Sequence, residues 1–182
     1  MILFPVHIVF LELIIDPACS VVFEAEPGEG DIMRRAPRSP KERLFGRRSL
    51  VTSAVQGLVA FGAVIAVYVA ALSLGESVAE ARTLSFITLI VSNLCLILTN
   101  RSWQLSALSS LKVRNPALFW VIGGALIFLA LVVYVPGLQR LFHFAPMHLL
   151  DLAIAFVAGL FSVAWFEVMK LITRSRRPAV TG

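Results

Sequence analysis

Glu12, Asp16 and Pro17 interrupt the chain's first apolar run, residues 2–23, and they restrict what that run can become. About 22 residues make a helix of roughly 33 Å, enough to cross a bilayer. A carboxylate at the bilayer centre costs about 2.5–3.5 kcal/mol on insertion scales. Two of them are tolerated where they face a protein interior or a water-filled cavity, the usual setting of a bound ion or proton. Glu12 and Asp16 are four apart, so on a helix they share one face. They repel there unless a cation lies between them or one acid is protonated. Pro17 has no N–H, crowds the carbonyl of Leu13, and disfavours helical geometry at Asp16. The spacing predicts a helix opened near mid-membrane, with free carbonyl oxygens beside two carboxylates. Such an oxygen set suits a hard cation of the Ca²⁺ or Mg²⁺ kind, and broken helices at a midplane site recur in transporters. The alternative is a structural ion pair.

The rest of the chain supports a membrane setting. Of 182 residues, 58% are hydrophobic, and the mean hydropathy is +0.86. That excludes an ordinary soluble domain. The fold class expected is all-α, a polytopic bundle of five transmembrane helices at residues 2–23, 50–74, 84–99, 117–135 and 149–171. Residues 1–23 form the first helix with its broken ion-site centre, 24–49 a basic cytoplasmic loop, 50–171 four further helices and 172–182 a basic tail. Ser53 and Gly57 are four apart, and so are Gly62, Ala66 and Ala70, a small-residue spacing that can admit a neighbouring helix. Gln56 lies inside the second span and needs a partner. Ser85, Thr88, Ser92 and Asn93 make one side of the third span polar, either as interhelix hydrogen bonds or, for Asn93, as a neutral ligand. Trp120 and Tyr134 are placed as interfacial anchors. Cys19 and Cys95 read as small buried hydrophobes, and His7, His143 and His148 lack metal-ligand spacing. The N-terminus has no basic region of the kind a signal peptide carries.

The charge is +5 and the pI about 9.9, but its distribution speaks of topology and not of nucleic acid. Arg34, Arg35, Arg38, Lys41, Arg43, Arg47 and Arg48 follow the first span. Arg101, Lys112 and Arg114 follow the third, and Lys170, Arg174, Arg176 and Arg177 close the chain. The opposite side holds only Arg82 and Arg140. The positive-inside rule then puts the N-terminus outside and the C-terminus in the cytoplasm of a plasma membrane, bacterial by expectation.

Three stretches carry a family resemblance: Pro5-Val6-His7-Ile8 running into Glu12 and Asp16-Pro17; Phe23-Glu24-Ala25-Glu26-Pro27; and Asp31-Ile32-Met33-Arg34-Arg35-Ala36-Pro37-Arg38-Ser39-Pro40-Lys41-Glu42. The chain resembles the C-terminal membrane region of cation-transporting P-type ATPases, calcium-pump-like branch, over essentially its whole length. Glu167 and Lys170 are weaker echoes. The resemblance implies that the five spans are the sixth to tenth helices of a ten-helix pump. It implies that Asp16 is a cation ligand, with Glu12 where animal calcium pumps have Asn, and Asn93 where two-site pumps have Glu. Ile15 lacks the side-chain oxygen of the family's Thr, and Pro17 replaces a Gly, so two-ion stoichiometry is not implied.

The family's catalytic Asp-Lys-Thr-Gly-Thr motif is absent from this sequence. The chain alone is therefore expected not to hydrolyse ATP. The expected function is the C-terminal transmembrane domain of a pump, with part of the cation site and the loop that couples it to the phosphorylation domain. It holds no cofactor, and its partners are the cation, the bilayer and a catalytic half supplied separately. The alternatives are an accessory, non-enzymatic membrane protein, a passive channel or an inactive truncated fragment.

Overall fold

The computed structural model describes residues 3–27, 46–101 and 115–175. The basic loop motif at 31–42 and most of the expected tail lie outside the described residues. Seven α-helices and one π-helix make up the described part. They are α1 (Pro5–Phe10), a π-helix (Leu11–Ile15), α2 (Asp16–Glu24), α3 (Arg47–Ser73), α4 (Val78–Asn100), α5 (Pro116–Tyr134), α6 (Pro136–Phe142) and α7 (Leu149–Ser175). The protein is an all-α, polytopic membrane-type bundle.

Among the described residues, α3, α4, α5 and α7 are each long and apolar enough to cross a membrane. The fifth expected span is a composite. Residues 5–24 are helical without a gap, about 30 Å at 1.5 Å per residue, but the hydrogen-bond pattern changes twice along the way. The sequence predicts an opened helix at Pro17. The backbone instead stays in the right-handed helical region, with Asp16 at φ −66° and ψ −48°. The amide of Asp16 reaches back five residues, to the carbonyl of Leu11. A π turn of this kind widens the helix just before the proline, where an ordinary turn would crowd the ring.

Helix α4 is the centre of the bundle. Of its apolar window, 72% is buried, against 22–28% in α3, α5 and α7. It packs against α7 and α3, while α5 packs on α2 and α6 on α1. α4 starts at Val78, before the apolar run begins, because Ser77 and Glu80 form a reciprocal cap. The Ser77 hydroxyl accepts from the Glu80 amide at 3.2 Å, and the Glu80 carboxylate accepts from the Ser77 amide at 2.7 Å. This Ser-x-x-Glu pattern is a helix-start signature in the sequence.

The α4–α7 seam explains the polar side of α4. Thr88 Oγ1 donates to the Leu84 and Ala155 carbonyls, and Ser92 Oγ meets Ser162 Oγ at 2.9 Å. Ser92 and Thr88 are thus interhelix bonds, worth about 0.6 kcal/mol each in lipid. The close approach occurs at Gly159, where an added Cβ would stand 2.7 Å from Val91. The small residues of α3 play no such part. Gly57 and Gly62 have no neighbour within 4 Å of a would-be Cβ, and Gly62 and Ala66 floor an apolar groove of about 920 Å³ between α3 and α7.

At the other side of the bundle the expected loop 136–148 contains helix α6. Pro136 forces Val135 into an extended conformation, φ −86° and ψ 117°, which ends α5 and begins α6. His7 is fully buried among Phe4, Phe86, Phe142 and Phe144. Its Nδ1 accepts from the Phe4 amide at 2.8 Å, and its Nε2 donates to the Phe142 carbonyl at 2.9 Å. Arg82 donates to the His143 carbonyl at 2.8 Å and stacks over the Phe4 ring. The start of the composite helix is therefore tied to the α5–α7 connection.

Candidate functional site

Helix α2 begins with Asp16 and runs beside the second half of α4. Between them lies a cleft of about 190 Å³, lined by Asp16 and Cys19 from α2 and by Asn93 and Asn100 from α4. Ile15 and Phe23 contribute apolar wall. Two of the three residues expected to hold a cation, Asp16 and Asn93, therefore share one space. Glu12 is exposed on the π-helix and is not among the residues lining the cleft.

Cys19 and Asn100 also line this cleft, and the sequence contained a signal for both. Cys19 follows Asp16 by three positions and Asn100 follows Asn93 by seven, spacings that keep a residue on one helix face. Asn100 faces a second partner as well. Its Oδ1 accepts from Gln56 Nε2 at 3.2 Å, and its Nδ2 donates to Gln56 Oε1 at 3.4 Å. That answers the demand of Gln56, which is 6% exposed on α3.

One carboxylate and two amide oxygens are hard donors of the type Ca²⁺ accepts. They are fewer than the six to eight oxygens such an ion takes. Among the described residues, no group of three His, Cys, Asp or Glu side chains stands together as a metal cluster. These three oxygen-bearing side chains line one cleft and are by themselves an incomplete set.

Just beyond the cleft, at the end of α2, sits a polar knot. Glu26 accepts from Arg101 Nε at 2.7 Å and from its Nη2 at 2.9 Å. Asn115 donates to Glu26 Oε2 at 2.9 Å and to the Val22 carbonyl at 3.0 Å, while its Oδ1 caps α5 by accepting from Leu118. The ends of α2 and α4 and the start of α5 are joined there. A second tie links α4 to α7, since Lys170 donates to the Thr99 carbonyl and pairs with Glu167 at 3.2 Å.

The comparisons with known proteins agree with this architecture. Residues 1–172 match the family described as "Cation transporting ATPase, C-terminus". A calcium-transporting ATPase of Bacillus subtilis (strain 168) is 29% identical over 142 residues, covering 78% of this chain and 16% of the relative. The calcium-transporting ATPases type 2C member 1 of Homo sapiens and Mus musculus are each 23% identical over 172 residues, 93% of this chain and 18% of theirs. The chain spans less than a fifth of the length of these relatives. With a family match over nearly all of its residues, the chain belongs to the C-terminal membrane region of the cation-transporting ATPases.

Proposed function

We propose that this chain supplies the last five membrane helices of an ATP-driven pump for a hard divalent cation of the calcium class. Asp16 and Asn93 form part of the ion cage, and Glu12 adds charge at the same depth. The reading rests above all on the shared cleft of Asp16 and Asn93. It draws support from relatives named as calcium-transporting ATPases. The catalytic half, with its phosphorylated aspartate, is the partner, and residues 24–49 carry the coupling to it.

The test is a pump in which residues 1–172 replace the matching region of the Bacillus subtilis relative. Calcium-dependent phosphorylation from ATP is expected in that chimera, and Asp16→Asn is expected to abolish it. Wild-type calcium dependence in Asp16→Asn would remove Asp16 from the site.

The same proposal sets the orientation, N-terminus outside. A cysteine replacing Arg38 should resist a membrane-impermeant thiol reagent applied outside intact cells, and one replacing Leu74 should react. The opposite pattern inverts the topology.

A further inference from the structure

We propose that Asn100 and Gln56 form an amide latch at the cytoplasmic mouth of the Asp16–Asn93 cleft, in which Asn100 releases Gln56 to ligate the incoming divalent cation. This rests on the cation-site reading above. Asn100 occupies both places at once, since it lines the cleft and pairs with Gln56. It stands two helical turns, about 10 Å, beyond Asn93 toward the C-terminal end of α4. The proposed topology makes that end cytoplasmic, the side from which a pump of this class loads its ion.

The pair is poised to open. Both of its bonds, 3.2 and 3.4 Å, lie at or beyond the long end of the usual N–H···O range. A buried amide left without partners costs about 1–3 kcal/mol, so neither side chain stands alone in the empty site. A cation changes the balance, because the Asn100 oxygen gains a stronger partner than the Gln56 N–H. Gln56 does not line the cleft. In this arrangement it competes with the ion for Asn100 and never contacts the ion itself. A merely structural pair makes a different demand, namely that losing either member harms the same property in the same direction.

The experiment uses the chimeric pump described above in lipid nanodiscs, with Cys95→Ala and the cysteines of the catalytic half removed so that Cys19 is the remaining thiol. Ca²⁺ alone is titrated, and its slowing of Cys19 modification by a small thiol reagent is read. Asn100→Leu should raise the half-protecting Ca²⁺ concentration about tenfold, one ligand's worth at about 1.4 kcal/mol. Gln56→Met should lower it about threefold or more, by freeing Asn100. Asn100→Asp keeps an oxygen at the position and adds charge, so it should also lower it, and it covers the case in which Asn100→Leu fails to fold. Shifts in one direction for Gln56→Met and both Asn100 variants, or no shift in any, overturn the latch while wild-type protection leaves the site standing. Absence of Ca²⁺ protection in the wild-type chain, or its survival in Asp16→Asn, overturns the site reading itself, and the latch with it.

Discussion

Arg101 grips Glu26 with two parallel hydrogen bonds, although 75 positions separate them in the chain. The Arg101 side chain is 0% exposed and that of Glu26 18%. The pair fastens the end of α2 to the end of the central helix α4, with Asn115 bridging to α5.

Removing Glu26 takes two charge-assisted bonds from the buried Arg101, which costs about 3–5 kcal/mol. Glu26→Ala should destabilise the chain by that amount in denaturant titrations in mixed micelles. Adding Arg101→Met should restore most of the loss, because an apolar pair of similar volume is tolerated where a lone ion is not. An unchanged midpoint in Glu26→Ala would show the pair to be ornamental.

Gly159 marks the closest approach of α4 and α7. A methyl there meets Val91 Cβ and Cγ1 at 2.7 Å and the Thr88 carbonyl at 3.0 Å. Backbone cannot give way as a flexible side chain can. Gly159→Ala should cost about 1–3 kcal/mol, as overpacking does. Val91→Ala in the same chain should recover the part owed to the side chain. Gly57→Ala and Gly62→Ala face open space and should change stability by less than about 0.5 kcal/mol. The same unfolding assay compares all four.

The contrast between these glycines explains what the sequence could convey. Run length and hydropathy anticipate α3, α4, α5 and α7 as spans, with α4 starting six residues earlier than expected, because insertion depends on the helix alone. Which face meets which neighbour depends on the whole bundle. Gly62, Ala66 and Ala70 have the four-residue spacing of a contact face, yet Gly62 meets nothing; Ala155 and Gly159 have the same spacing, and there the helices touch. Asp16 and Asn93 could be singled out because a charge or amide in lipid demands a reason. That Glu12 would lie off their cleft was not legible, since the π-helix shifts the register between positions 12 and 16. The pairing of Gln56 with Asn100 was half legible: the need for a partner was visible, its identity was not.

His7 makes two bonds of opposite sense from one ring, accepting at Nδ1 and donating at Nε2. Both are met by the neutral ring with its proton on Nε2. The first caps α1 and the second binds it to the end of α6. His7→Ala loses both bonds and leaves the Phe142 carbonyl buried, a cost of about 2–4 kcal/mol. His7→Phe preserves the aromatic packing against Phe86 and Phe144 and isolates the hydrogen-bond share. If the two variants unfold at the same denaturant concentration, the bonds dominate; if His7→Phe matches the wild type, packing does. The prediction is that His7→Phe loses most of what His7→Ala loses.

Glu12 and Asp16 look alike in the sequence, yet the structure gives them unequal positions. Both are exposed, but Asp16 opens α2 and lines the cleft with Asn93, whereas Glu12 sits one turn earlier and outside it. A carboxylate outside the cleft opposes insertion by up to about 2.5–3.5 kcal/mol. Glu12→Gln should therefore raise the membrane-inserted fraction of the chain, while shifting the Ca²⁺ dependence of Cys19 protection by less than about twofold. Asp16→Asn relieves a similar insertion cost but deletes the carboxylate that lines the cleft beside Cys19 on α2, so protection should vanish at any Ca²⁺ concentration that leaves the lipid intact. Measuring insertion and protection on both variants separates the two acids. Equal loss of protection would mean that Glu12 reaches the ion after all, through a geometry the π-helix does not hold at rest.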